Sequence, residues 1–131
     1  MVGIVAVSHS QKLAEGVKEI ALQMAKEVPF AAAGGTKDHE LGTDMECIIS
    51  AIHEVYSEDG VLVLFDLGSS YMNAAMAVEM LPEEMQQKVR IIDAALVEGA
   101  IVAAVESSVG KNLDEVAMSI KDLCLHKMPE P

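Results

Sequence analysis

The chain contains no tryptophan and only two phenylalanines and two tyrosines among its 131 residues. Its core must therefore be built from Ala, Val, Ile, Leu and Met, the material of helices packed on parallel strands. Cysteine is equally scarce. Cys47 and Cys124 share no paired spacing, which argues against a disulfide framework or a cysteine metal site and reads as buried free thiols in a reducing cytosol. Basic residues are few, with 9 Lys+Arg against 21 Asp+Glu and a formal net charge of -12. Nucleic acid and anionic membrane both demand basic surface, so neither is expected as a partner; a basic protein suits the chain better. No apolar run is long enough to cross a bilayer, and the N-terminus lacks the basic stretch and cleavage pattern of a signal peptide. The expected location is the cytoplasm.

What the chain does have is a hydrophobic fraction of 51%, enough for one domain over residues 1–131 with a core that needs no metal or disulfide support. It begins MVGIVAVSHSQKLAEGV. Val2, Ile4, Val5 and Val7 read as a buried strand, and Ser10 as the N-cap of a helix that runs to Ala25. Leu13, Val17, Ile20, Ala21 and Met24 are its expected inner face. Phe30–Ala33 reads as a second strand, followed by the glycine-rich loop AGGTKDHELGTDME and a helix capped by Thr43 or Asp44. That helix turns Met45, Ile48, Ile49, Ile52 and Val55 inward. VLVLF at 61–65 is a third strand and runs into DLGSS, where Ser69 or Ser70 is the expected cap of a helix through Leu81. A short helix from Pro82, a fourth strand at Val89–Ile92, a helical stretch over Ala94–Val109 and a last helix from Asn112 or Asp114 complete the pattern. Residues 127–131, KMPEP, are expected to fray. Strands alternating with helical periods predict an α/β fold with an open, mainly parallel four-stranded sheet and helices on both faces.

In a parallel sheet all strand carboxyl ends share one edge, so His9 after strand one and Asp66 after strand three lie on the same side. With strand order 2-1-3-4 those two strands are neighbours, and the crevice between them is the topological switch point. A carboxylate that binds one imidazole nitrogen leaves the lone pair of the other free to attack, as a phosphoryl carrier requires. Gly68, Ser69 and Ser70 open a helix whose first N–H groups form an anion site, and Gly34, Gly35 and Thr36 are candidates for further phosphate contacts. Each feature also has a plain reading: a strand-end histidine serves structure, Gly-Gly-Thr is a turn, and Ser-Ser is a cap. Their convergence on one edge is what favours a site.

The remaining candidates are weaker. His39 lies in a polar loop beside Asp38 and Glu40 and reads as solvated, although it stands near the glycine loop; His53 and His126 read as surface residues. No metal ligand set is expected. Met72, Met76 and Met80 line one side of a helix whose other side carries Ala74, Val78 and Leu81. The methionine side is either covered by the rest of the chain or pressed against a partner subunit.

VSHS at 7–10, AGGT at 33–36, FDLGSSYMNAAMA at 65–77 and ALVEGAIVAAV at 95–105 together resemble the DhaM family. These are the phosphoryl-donor subunits of phosphoenolpyruvate-dependent dihydroxyacetone kinases, and their core domain is similar to the mannose-type enzyme IIA of the sugar phosphotransferase system. The resemblance implies a mannose-type enzyme IIA-like fold, a homodimer, His9 as phosphoryl acceptor and Asp66 as its orienting partner. It implies phosphate contacts from Gly34, Gly35, Thr36, Gly68, Ser69 and Ser70. It further implies HPr as donor, ADP on the DhaL subunit as acceptor, and DhaK as the indirect beneficiary, with ADP/ATP held by the partner and no cofactor bound tightly here. Some family members carry HPr-like and enzyme I-like domains, which are expected to be separate proteins in this case. Two alternatives stay open: a mannose-type sugar-transport enzyme IIA, and a non-catalytic anion-binding module of the same fold. His9→Ala is expected to abolish transfer and keep the fold, and Asp66→Asn to keep the geometry and weaken transfer.

Overall fold

Gly3–Ser8 (β1), Phe30–Gly34 (β2), Val61–Phe65 (β3) and Val89–Ile92 (β4) form one sheet in the order β2-β1-β3-β4, every neighbouring pair parallel. This is the order the sequence predicts. The computed structural model of the chain describes residues 1–129. Between the strands run Gln11–Met24 (α1), Met45–Val55 (α2), Gly68–Glu79 (α3), Glu83–Gln86 (α4), Leu96–Ser108 (α5) and Leu113–Ser119 (α6), with a short 3₁₀ turn over Lys121–Leu123. Among the described residues, no helix is long and apolar enough to cross a membrane.

Strand alternation divides the core into two layers. Ile4, Ala6, Leu62 and Leu64 face α1, α5 and α6, while Val5, Val7, Val63 and Phe65 face α2 and α3. β1 and β3 are buried along their full length, which explains why both read as continuous apolar runs. The chain order reverses between β1 and β3, so their carboxyl ends flank the crevice that the topology requires.

The inner face of α1 differs from the expected one. Ala14, Val17 and Ala21 enter the core, whereas Leu13, Ile20 and Met24 are 42%, 49% and 65% exposed. The reason is close packing against small residues. α1 rests on β2 at Gly34, where a Cβ would stand 2.7 Å from that of Ala14, and on α5, which buries Gly99, Ala100, Ala103 and Ala104, and only the alanine face of α1 fits that spacing. Met72 and Met76 of α3 and Met80 at its C-cap likewise lie outside, while Ala74, Ala77 and Leu81 are buried. Neither cysteine is fully buried: both are free, Cys47 partly covered and Cys124 exposed.

Candidate functional site

Each of the two central strands ends in a residue of the candidate site. Ser10 leaves the strand in extended conformation and caps α1 through its hydroxyl, which accepts from Leu13 N at 3.2 Å. His9 is thereby held in the turn between a buried strand and a helix. Asp66 follows β3 directly, and its backbone N–H donates to Val7 O at 3.0 Å, extending the β1–β3 ladder to the crevice. Ladder register therefore sets the His9–Asp66 spacing.

The Asp66 carboxylate gathers donors from both strands. Oδ2 accepts from His9 N at 2.9 Å and from Ser8 Oγ at 2.9 Å; Oδ1 accepts from Leu67 N at 2.7 Å and stands 3.1 Å from His9 Nδ1. The Ser70 hydroxyl is shared between Asp66 Oδ1 at 3.1 Å and Leu67 O at 2.6 Å. Burial pushes the Asp66 carboxyl up, but the hydrogen bonds from His9, Leu67 and Ser8 outweigh it and hold the group below the usual carboxylate range. Asp66 is therefore ionised at neutral pH and accepts only. It follows that Nδ1 carries the proton and Nε2 the free lone pair. Ser69 Oγ lies 2.9 Å from Nε2 and donates to it. The His9 side chain is 29% exposed and that of Asp66 12%, so the ring is open to solvent while the carboxylate stays screened.

The predicted site residues separate into two groups. His9, Asp66, Ser69 and Ser70 come together, with Gly68 opening α3 at the same edge. Ser69 and Ser70 are not the helix cap; Leu67 occupies that position without a side-chain bond, and the Asp66 carboxylate receives its N–H instead. The backbone N–H groups of Gly68 and Ser69, in the first turn of α3, have no intrahelical acceptor and carry the positive end of the helix dipole.

Gly34, Gly35 and Thr36 serve the turn. Gly35 N donates to Ser8 O and Thr36 N to Glu40 O, while Thr36 Oγ1 accepts from Glu40 N. The Gly35 and Thr36 N–H groups are thus committed, one to β1 and one within the loop, and Gly42 N ties the same loop to His9 O at 2.8 Å. His39 has a positive φ of 64°, places Nδ1 2.8 Å from Gln11 Oε1, and borders a cleft with Gln11, Gly34 and Thr36. Among the described residues no group of three His, Cys, Asp or Glu side chains is placed to hold a metal ion.

Three residues escape the sequence reading. Ser8 is fully buried and links the two strand ends, accepting from Ser10 N at 3.0 Å while donating to Asp66. Its signal is a serine closing an otherwise apolar strand. Asp93 and Lys127 are the others, and they correct the expectation of a tail that frays from residue 127. Lys127 N donates to Asp93 Oδ2, Met128 N donates to the same oxygen at 2.8 Å, and Lys127 Nζ reaches the backbone of Asp66. The rest of that expectation falls in part on residues 130 and 131, outside the described residues.

Comparison with known proteins places the chain among characterised relatives. The EIIA-man family model, described as the PTS system fructose IIA component, matches residues 3–117. The phosphoryl donor subunit DhaM of the PEP-dependent dihydroxyacetone kinase of Escherichia coli (strain K12) is 42% identical over a 120-residue alignment that covers 88% of this chain and 25% of that protein. The DhaM subunit of PEP-dependent dihydroxyacetone kinase 2 of Listeria innocua is 37% identical over 124 residues, covering 94% of this chain and 99% of that one. The chain thus spans a quarter of one relative and nearly all of the other. A crystallised protein of unknown function, EF1359, superposes with a TM-score of 0.83 at 33% identity, covering 93% of this chain and 95% of that one.

Proposed function

Because the chain belongs to the mannose-type enzyme IIA family, we propose that it is a cytoplasmic phosphohistidine carrier that takes a phosphoryl group from HPr onto His9 Nε2 and passes it to ADP held by a DhaL subunit. The observation that carries this reading is the alignment through the His9 ring, Asp66 Oδ1 on Nδ1 at 3.1 Å and Ser69 Oγ on Nε2 at 2.9 Å. It fixes the ring and leaves one nucleophilic lone pair, on Nε2, at the sheet edge where α3 begins.

In the first transfer the Nε2 lone pair attacks the phosphorus of the donor's N-phosphorylated histidine. The P–Nε2 bond forms as the donor's P–N bond breaks, and that electron pair stays on the donor nitrogen. Ser69 turns its hydroxyl from Nε2 to a phosphoryl oxygen, and the Gly68 and Ser69 N–H groups meet the other charge. In the second transfer a terminal phosphate oxygen of ADP attacks the same phosphorus. The P–Nε2 bond breaks, its electrons return to Nε2, and the ATP formed serves phosphorylation of dihydroxyacetone on DhaK. No proton moves in either step, so the catalytic demand is position and electrostatics, which this edge supplies. The excess of acidic side chains suits a basic donor surface, and the exposed Met72, Met76 and Met80 offer adaptable contact area for a homodimer.

The test is incubation with phosphoenolpyruvate, enzyme I and HPr, followed by mass mapping and then addition of DhaL loaded with ADP. Acid-labile phosphate on His9 that ADP–DhaL discharges is the expected result. A stable phosphohistidine that DhaL leaves untouched assigns the chain to sugar transport instead. A folded protein that takes no phosphate from active HPr is a non-catalytic anion-binding module.

A further inference from the structure

The Lys127 ammonium has three protons and meets three backbone oxygens: Phe65 O at 2.6 Å, Asp66 O at 3.1 Å and Ala94 O at 2.9 Å. It joins the carboxyl end of β3 to the segment leaving β4, directly behind the turn that carries Asp66. The side chain crosses the ring of Phe65, with Nζ 4.7 Å from its centroid, and burial lowers the affinity of the amine for its proton while Asp93 and Asp66 raise it. From outside, the Asp93 carboxylate holds the same segment, accepting from the N–H groups of Leu125, Lys127 and Met128. The Lys127 carbonyl lies against Gly68, where a Cβ would stand 2.6 Å from that oxygen. The C-terminal segment therefore grips both ends of the Asp66–Gly68 turn, one by charge and the other by contact.

We propose that Lys127 is a positioning residue for phosphoryl transfer, holding the β3–α3 turn so that Asp66 and Ser69 keep the His9 ring in its Nδ1–H tautomer. This rests on the reading of His9 as the phosphoryl acceptor. A partly buried ammonium on three carbonyls would be a costly way to anchor this segment, since a charge withdrawn from water is tolerated only when it is paired. Its place beside Asp66 gives it work that an apolar anchor does not do. The charge favours the ionised carboxylate, and the bond to Asp66 O fixes the peptide from which that carboxylate projects. The carboxylate then sets the proton on Nδ1.

The test is Lys127→Met, which keeps the stem over Phe65 and removes the ammonium, read by ¹⁵N NMR of the His9 ring and by the rate of phosphorylation from HPr. The expected result is a ring that loses its single Nδ1–H signature and a rate lower by about tenfold to a hundredfold, the scale of a misplaced reacting group. Asp93→Asn, which loosens the same segment without touching the ammonium, should give a smaller change in the same direction and stands in if Lys127→Met does not fold. A folded variant with an unchanged tautomer and rate, altered only in stability, overturns the proposal and leaves Lys127 as a terminal anchor. The tautomer needs no donor protein, so it is read even if wild-type His9 takes no phosphate. That second result would sink the carrier reading and with it any role in transfer, while a changed tautomer would still show that Lys127 positions the His9 ring.

Discussion

Ser69 Oγ stands 2.9 Å from His9 Nε2, on the ring nitrogen that Asp66 leaves open. The hydroxyl therefore occupies the place an incoming phosphoryl group needs, and its bond must be exchanged during transfer. The two bonds are unequal. A hydroxyl on a neutral imidazole nitrogen makes an ordinary hydrogen bond, whereas one on a phosphoryl oxygen is charge-assisted and about twice as strong.

Ser69→Ala should accordingly lose more in the transition state than in the resting state. With a net difference of about 1 kcal/mol, phosphorylation by HPr slows roughly fivefold. Stopped-time quench of the phosphorylated product gives the rate. Faster phosphorylation in Ser69→Ala would mean that the resting bond is the stronger one and that Ser69 shields the ring.

Asp66→Asn will not keep the geometry, contrary to the expectation from sequence. Oδ2 receives His9 N and Ser8 Oγ, while Oδ1 receives Leu67 N and faces His9 Nδ1. Whichever way the amide is turned, its NH₂ group meets a backbone N–H that cannot rotate away. An unsatisfied donor costs about 1–3 kcal/mol, so the variant loses that much stability in urea unfolding. With NH₂ towards the ring, Nδ1 becomes the acceptor and the proton moves to Nε2, and transfer falls by about a hundredfold or more. Wild-type stability together with wild-type kinetics would show that the carboxylate charge is not used.

The same carboxylate sets an acid limit. Its folded value lies below the unfolded one, about 3.9, so the unfolded chain takes up this proton first as the pH falls. The stabilisation is complete above about pH 5, begins to fall near the unfolded value and is lost as the pH drops through the depressed folded value. Between pH 6 and the acid transition, the wild type should lose more unfolding free energy than Asp66→Asn, in which this group does not titrate. Parallel curves for the two proteins in denaturant titrations at stepped pH would assign the acid sensitivity to other carboxylates.

The fold is legible in the sequence where burial is two-sided. β3, and β1 up to Ser8, are apolar throughout because both faces are covered, and Asp66 and His9 stand out because each follows such a run. The orientation of α1 is not legible. Hydrophobicity ranks Leu13, Ile20 and Met24 above Ala14 and Ala21, but the choice of face is steric and depends on Gly34 and the α5 alanines arriving from elsewhere in the chain. The partners of the glycine loop are not legible for a related reason: the N–H groups of Gly35 and Thr36 go to Ser8 and Glu40, which only the fold brings to them. Lys127 carries no local signal at all, since its partner Asp66 lies 61 residues away and nothing periodic surrounds it.

Two glycines near α1 separate a structural demand from a conformational one. At Gly34 a Cβ would stand 2.4 Å from Ser10 O, 2.7 Å from the Ala14 Cβ and 2.8 Å from the Gln11 Cα, so backbone blocks it on two sides. Gly34→Ala must push the start of α1 away from β2, at a cost of about 1–3 kcal/mol, and it carries His9 and Ser10 with it. Gly16, inside α1, has nothing within 4 Å of its Cβ position. Gly16→Ala therefore removes only the flexibility of the unfolded chain and should stabilise the protein by about 0.5–1 kcal/mol. Urea unfolding compares the pair directly, and phosphorylation should slow in Gly34→Ala while Gly16→Ala keeps the wild-type rate. If Gly34→Ala were as stable and as fast as the wild type, the contact between the glycine loop and α1 would not be what holds His9 in place.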